Sequence, residues 1–409
     1  MYSKTKKIVR DIPQALLYAL FYIVYALSFL FPRSRNIWLF DEWEGKRCAD
    51  NARYLYLYVH EHQPSMVGIW ITHDPAIVTE LRSRGLRAYH AYSVGGLWYT
   101  LRAKVIVFES TVSAFFWLTG GILKINLWHG LPIKKIVYDS VETKKNNWVY
   151  TATGVRRLYH MFFQPEKVAL GDYVLSQSPA WHAFFSSAFR VDPSHVIVEN
   201  QPRNEAFTAP TVFTFKSEDA VLEKIAELRK TKKVITYLPT FRDGSNDPLA
   251  GSHLAFDDLN DFLGKNSMHM YIKMHHEGVP DGADRYAHIE FLPADFSAML
   301  MLRNTDILIT DYSSVFFEFL LTDHPIIFFA FDLDAYVGKL RELYFDYEKI
   351  TPGPKAKTVE ELYRCLEDIG ANRDTYAETR AKMREMVLRP HPEKSSEQVF
   401  RAISDILER

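Results

Sequence analysis

The sequence predicts an α/β protein of two doubly wound domains, each a parallel sheet covered by helices on both faces, preceded by one long hydrophobic helix. Three observations carry this. The short apolar runs are continuous rather than alternating, as in strands buried on both faces. Helical patterns lie between several of them, as crossover connections between parallel strands require. The pattern then stops in a polar stretch near 204–212 and starts again. At 409 residues, 47% hydrophobic and 24% charged, the chain has material for two cores and is too apolar to be disordered.

The N-terminal segment comes first. Residues 12–31, IPQALLYALFYIVYALSFLF, carry no charge, and they are about as long as a bilayer-spanning helix. Basic residues flank both ends, so the charge rule assigns no sidedness. No small-residue cleavage site follows, which argues against a signal peptide. Tyr18, Tyr22 and Tyr25 recur at helical spacing and suit a headgroup region. The reading adopted is a membrane-associating helix, in the plane of the surface rather than spanning, within a basic head over 1–35. That head has a net charge of +5 against −6 for the rest.

In the first domain, 36–204, strands are expected at 36–41, 66–72, 105–110, 122–128, 173–178 and 196–200. A helix AIVTELRSRG follows the second and closes at Gly85. In the second domain, 205–409, strands are expected at 233–240, 269–275, 289–293, 306–310 and 325–330, with a helical tail from Val359. Two cysteines, Cys48 and Cys365, exclude a disulfide scaffold or a cysteine zinc cage and fit a reducing compartment. A net charge of −1 argues against a nucleic-acid partner. The chain carries no P-loop, no GxGxxG, no GxSxG and no HExxH.

Ligands of such sheets bind beyond the carboxyl ends of the strands, so the residues there are the site candidates. His129-Gly130 ends the fourth expected strand, with Lys134 and Lys135 just beyond. An exposed imidazole there suits proton transfer, although taken alone it fits a turn histidine equally. Thr240 and Arg242 end KVITYLPT, and the Arg242 fork matches phosphate oxygens. Lys273, His275 and His276 end HMYIKMH. Adjacent residues on a strand point to opposite faces, so the histidine pair is read as an anion contact rather than a metal site. Thr310-Asp311-Tyr312-Ser313-Ser314 closes DILIT and opens a helix. Ser313 or Ser314 can cap that helix, phosphates suit its N-terminus, and Glu318 one turn on can meet a ribose diol. Asp332-Leu333-Asp334 is read as a loop and cap.

In this order, NLWHGLPIKK (126–135), PRNE (202–205), LPTFRD (238–243), IKMH (272–275) and DILITDYSSVFFE (306–318) resemble the CDP-glycerol glycerophosphotransferase family of teichoic acid and capsule polymer enzymes. The resemblance covers about 36–390. It implies a glycosyltransferase-B type fold, two Rossmann-like domains facing a cleft. It implies a peripheral enzyme on the cytoplasmic face of the bacterial cell membrane. Such an enzyme transfers a polyol phosphate from CDP-glycerol or another CDP-polyol to a lipid-linked acceptor, releases CMP and needs no metal or other cofactor. By residue, it implies His129 as the catalytic base, Arg242 and His275 as donor-phosphate contacts, and Thr310, Asp311, Ser313 and Ser314 as the pyrophosphate loop. Glu318 would be the ribose contact, and Arg203 and Asn204 the hinge-side element.

The basic run 134–157 suits an anionic membrane surface or is a solvated loop. Departures at His275-His276, at Asn200-Gln201 and near 391–398 leave the polyol and acceptor open, as is self-association. The alternatives weighed are a transferase of the same fold with a nucleotide-sugar donor, and an inactive scaffold. Retention of His129, Arg242, His275 and Ser313 together argues against the scaffold.

Overall fold

The computed structural model describes residues 2–140, 150, 152–210, 212–240, 242, 249, 251–274, 282–293, 295–336 and 342–409, with side chains from residue 14 onward. Two parallel sheets organise it. The first runs in the order β3-β2-β1-β4-β5-β6-β7. Its strands are β1 Ser34–Phe40, β2 Val67–Thr72, β3 Ala88–His90, β4 Ala103–Phe108, β5 Leu123–Asn126, β6 Tyr173–Ser176 and β7 Val196–Val198. The second runs β10-β9-β8-β11-β12-β13. It comprises β8 Lys233–Leu238, β9 Met268–Ile272, β10 Ile289–Phe291, β11 Ile307–Thr310, β12 Ile326–Phe329 and β13 Lys355–Ala356. The winding reverses between β1 and β4, and again between β8 and β11. Loops leaving those strands diverge and open a crevice at each carboxyl edge.

Every strand expected from an apolar run is present, and the reason is visible in β1. Trp38 and Phe40 enter one core while Leu39 enters the other, so a continuous run buries both faces. The strands not expected, β3 and β13, span three and two residues and offer no such run.

One expected boundary needs correction. The tail assigned to the second domain does not stay there. Helix Ser395–Glu408 lays Val399 and Ile403 against Trp38, Leu55 and Val59 of the first sheet's core. Glu205 fixes its start by accepting from Ser396 N at 2.7 Å and from its hydroxyl at 2.9 Å. An apolar face repeating every four residues must be buried, and the first sheet offers the free surface.

The N-terminal helix α1 (Tyr2–Ser28) also differs in orientation from its expected pose. Its tyrosines face the protein. Tyr18 and Tyr22 meet Trp117 at 5.7 and 5.0 Å, Tyr22 stacks on Phe162 at 5.1 Å, and Tyr25 stacks on Phe116 at 5.5 Å. Edge-to-face and stacked ring pairs of this kind add about 0.5–1.5 kcal/mol each beyond the area they bury. The aliphatic stripe points outward instead, with Leu20 55% and Ile23 57% exposed. Arg33 ties the helix down through backbone carbonyls of Thr100, Leu118 and Gly120 at 2.7–2.9 Å. No helix among the described residues is long and apolar enough to cross a membrane.

Candidate active site

The carboxyl end of β5 builds the centre of the site. Asn126 Oδ1 accepts from Trp128 N at 2.9 Å, which turns the chain sharply, and Trp128 adopts a φ of 52°. Asn51, in helix α2 (Asp50–His62), donates to the Trp128 carbonyl at 2.8 Å and accepts from Arg203 N at 3.1 Å. The His129 ring then stacks on Trp128 at 4.0 Å, with the Trp43 ring 6.3 Å away. Burial lowers its pKa to about 4. Asp50 and a bond to the Glu109 carbonyl oppose that fall, while Arg203 and Lys134 reinforce it. The imidazole is therefore neutral at pH 7, with a nitrogen available to take a proton.

Gly130 follows with a φ of 119°, and a β-carbon there would lie 2.6 Å from Arg203 Nη2. Only glycine fits. Behind it, Arg203 bridges the two sheets: Nη1 to Asp50 and Nη2 to Glu318, each at 2.7 Å. Arg203 and Glu318 are buried, and the guanidinium opposes the rise that burial imposes on the Glu318 pKa. Asn204 is buried too and donates to Gln177 at 2.9 Å.

The expected phosphate contacts are placed differently. Arg242 is forked onto Asp332, Nε and Nη2 at 3.0 Å each, and its Nη1 reaches Asp311 at 2.6 Å. Both carboxylates hold it, so in this arrangement it is an internal strut and not an open phosphate fork. Asp311 is buried and accepts from Thr240 N at 3.0 Å; a carboxylate would repel a diphosphate, and here it organises the loop instead. The Thr310 hydroxyl donates to the Leu238 carbonyl at 2.9 Å, pinning β11 to β8. Glu318 is fully buried on Arg203, so the expected ribose contact is not open to a ligand here. The helix after Ser314 is a single turn, Phe316–Phe319, with no side-chain cap. Ser313 Oγ accepts from Val315 N at 3.4 Å, and both serines stay half-buried at the crevice. His275 and His276 lie outside the described residues.

Lys134 Nζ lies 3.3 Å from the Tyr336 hydroxyl, and Lys135 pairs with Glu342 at 2.6 Å. These lysines strap the two sheets together rather than facing an anion. Lys273, at the end of β9, is different. Burial first, then nearby Arg47, lowers its pKa to about 8, so cations from the two sides of the crevice approach one another. Arg47 also lies over the Trp43 ring at 5.3 Å. Arg47 borders a cavity of about 230 Å³ between the sheets, walled by Lys46 and Asp74 on one side and by Pro293, Asp295 and Phe296 on the other.

Sequence reasoning missed Trp43, Arg47, Asp50, Asn51 and Asp332. Trp43 and Arg47 follow β1 directly, so the strand-end rule pointed at them; Asp332 was read as a cap, whereas it is the bidentate partner of Arg242. Glu42, Asp50 and Glu109 bring carboxylate oxygens within 4.8 Å of one another. Glu42 accepts from Ala49 N and Glu109 from Ala52 N, so these acids cap α2. Burial raises the pKa of both.

A model of the family described as CDP-glycerol:poly(glycerophosphate) glycerophosphotransferase matches residues 23–405. The teichoic acid poly(glycerol phosphate) polymerase of Bacillus spizizenii is 28% identical over 373 residues, covering 86% of this chain and 88% of its own. The teichoic acid glycerol-phosphate transferase of Staphylococcus aureus is 27% identical over 375 residues, covering 85% and 87%. Among solved structures, the wall teichoic acid polymerase TagF superposes with a TM-score of 0.72 at 22% identity, over 100% of this chain and 98% of that one. A UDP-GlcNAc 2-epimerase from Neisseria meningitidis gives 0.53 at 10% identity, over 91% and 100%. These two likenesses concern the fold.

Proposed function

The chain belongs to the CDP-glycerol:poly(glycerophosphate) glycerophosphotransferase family, and from that premise we propose how its site works and what it serves. It transfers a polyol phosphate from CDP-glycerol, in teichoic acid synthesis. The acceptor in this reading is the terminal hydroxyl of a lipid-linked chain. His129 takes the hydroxyl proton on the ring nitrogen not bonded to the Glu109 carbonyl. The acceptor oxygen bonds to the phosphorus that bears glycerol. The bond from that phosphorus to the bridging oxygen breaks, and the electron pair leaves with CMP. Charge spreading over the phosphate oxygens is met by Arg47, Lys273 and the Ser313-Ser314 turn. The cavity beside Arg47 receives the nucleoside end.

The single observation that carries this reading is the His129 ring at the carboxyl end of β5, stacked on Trp128 and kept neutral by its burial. Attachment to a membrane surface, in this reading its cytoplasmic face, is consistent with the outward Leu20 and Ile23 of α1 and with Val155 and Leu158 of helix Gly154–Phe163, all exposed, though these residues do not set the side.

The test is CMP release from CDP-glycerol with and without a lipid-linked acceptor, for the native chain and His129→Ala. Acceptor-dependent CMP that the substitution abolishes is the expected result. CMP from CDP-ribitol alone would keep the mechanism and change the polyol. Silence with every CDP-polyol would overturn the reading in favour of a nucleotide-sugar donor.

A further inference from the structure

A line of rings runs along the carboxyl edge of the first sheet, from α1 to the catalytic crevice. Phe21 of α1 meets Phe115 at 5.9 Å, and Phe115 meets Tyr92 at 6.0 Å. Tyr92 meets His73 at 5.1 Å and His90 at 6.0 Å, and the two histidines lie 5.8 Å apart. His73 then abuts Gly45, where a β-carbon would fall 2.8 Å from its ring. Trp43, two residues back on the same loop, faces His129.

Two features separate this line from ordinary core packing. Tyr92 is 59% exposed, so most of its ring is offered to solvent. The loop beneath it holds Trp43, Glu44 and Gly45 in succession at positive φ, 45°, 54° and 72°. For the first two residues that conformation costs energy, which the surrounding structure must over-determine. The packing that imposes these angles sets Trp43 near His129 and Gly45 against the His73 ring.

The chemistry along the line changes in order. Rings stand at the α1 end, a histidine pair in the middle, and the proton acceptor at the far end. His90 Nδ1 accepts from Tyr92 N at 3.3 Å, which leaves Nε2–H as that ring's donor. Burial first, then His90, lowers the pKa of His73, whose ring bonds the Ser113 carbonyl. The cavity beside Arg47 opens toward Asp74 and Asp295 instead and does not include Tyr92, His73 or His90.

We propose that this rim is the acceptor track: it holds the last units of an anionic polyol-phosphate chain, with the polyol C–H groups on the exposed Tyr92 ring and a phosphodiester oxygen on His90. The proposal rests on the reading above that the acceptor is a membrane-borne polyol phosphate. The track brings its terminal hydroxyl from the α1 side to His129 while the donor occupies the crevice from the other side.

The experiment uses the full chain in detergent and a synthetic glycerol-phosphate tetramer on an alkyl tail. Calorimetric binding without CDP-glycerol comes first, then acceptor and donor KM from CMP release. Tyr92→Ala and His90→Gln are each expected to weaken tetramer binding and raise acceptor KM at least tenfold, with donor KM within twofold of native. Tyr92→Phe, which keeps the ring, is expected to restore both. Native-like tetramer binding in both Tyr92→Ala and His90→Gln overturns the track. So does equal binding of the alkyl phosphate without its glycerol-phosphate units. Failure of CMP release with intact, Tyr92-dependent tetramer binding would instead strike the donor reading and leave the track standing.

Discussion

Arg203 and Glu318 meet at 2.7 Å directly behind Gly130, and this contact joins the two sheets beside His129. Asp50 completes the bridge from the first sheet. Removing the guanidinium strands Glu318 in a buried position, and breaking a buried pair on one side costs roughly 3–5 kcal/mol. Arg203→Ala is therefore expected to lower urea-unfolding stability by about that amount and to abolish CMP release. Arg203→Lys keeps the charge but cannot fork, so it should recover part of the stability and little of the activity. Native stability in Arg203→Ala would show that the bridge is not structural.

Arg242 and Asp332 give a prediction that separates a strut from a phosphate ligand. If Arg242 met the donor directly, releasing it from Asp332 would strengthen donor binding. As a strut, it needs Asp332 to hold the Thr240 and Asp311 loop. Asp332→Ala is expected to raise the KM for CDP-glycerol several-fold and to cost about 1–3 kcal/mol of stability, the range for orphaning a buried charged hydrogen bond. A lowered donor KM would restore the phosphate role to Arg242.

The contrast shows what the sequence made legible. Strands such as β1 and β11 were readable because burial on both faces leaves an uninterrupted apolar run. The place of His129 just beyond β5 was readable because the apolar run stops there and His-Gly follows. The partners of Arg242, Asp311 and Glu318 were not. A motif gives the residue and its loop, whereas Arg242 acquires its role from Asp332, ninety positions away in sequence. The tail's allegiance was hidden for a similar reason: the face of Val399 and Ile403 says that it must be covered, not by which sheet. Tyr18, Tyr22 and Tyr25 show the same limit, since spacing put them on one helical face and only Trp117 and Phe162 decided which way that face turned.

That orientation has a measurable consequence. The aliphatic stripe of α1, not its tyrosines, is the surface left exposed, and the proposed membrane contact would fall there. Leu20→Asp with Ile23→Asp is expected to reduce co-sedimentation with anionic vesicles by at least tenfold, because two charges replace apolar contacts worth roughly 1.5–3 kcal/mol each. Thermal unfolding should be nearly unchanged, since both side chains point away from the body. Tyr22→Ala should do the reverse, because it removes the bond from the Tyr22 hydroxyl to the Met161 carbonyl at 2.8 Å and the stack on Phe162. Equal vesicle binding for the aspartate pair would exclude this face as the contact.

If His129 is the base, as proposed, it sets the acid limb of the reaction. Its pKa falls to about 4 in the folded chain, against an ordinary value near 6.5. The imidazole therefore stays neutral, and competent as a base, well below the pH at which a solvated histidine would be protonated. The acid limb of kcat/KM, which reports the free enzyme, is expected nearer 4 than 6.5. The donor diphosphate brings negative charge to the ring and favours imidazolium, so the limb of kcat, which reports the bound complex, should lie higher. Folding stability follows the same sign. With the folded value depressed, the unfolded chain binds the proton first, so this contribution is complete above about 6.5 and lost as the pH falls toward 4. Lys134 is one of the charges that hold the value down, so Lys134→Met should move the kcat/KM limb upward. A limb at or above 6.5 in the native enzyme would mean that the proton is taken by a group other than His129.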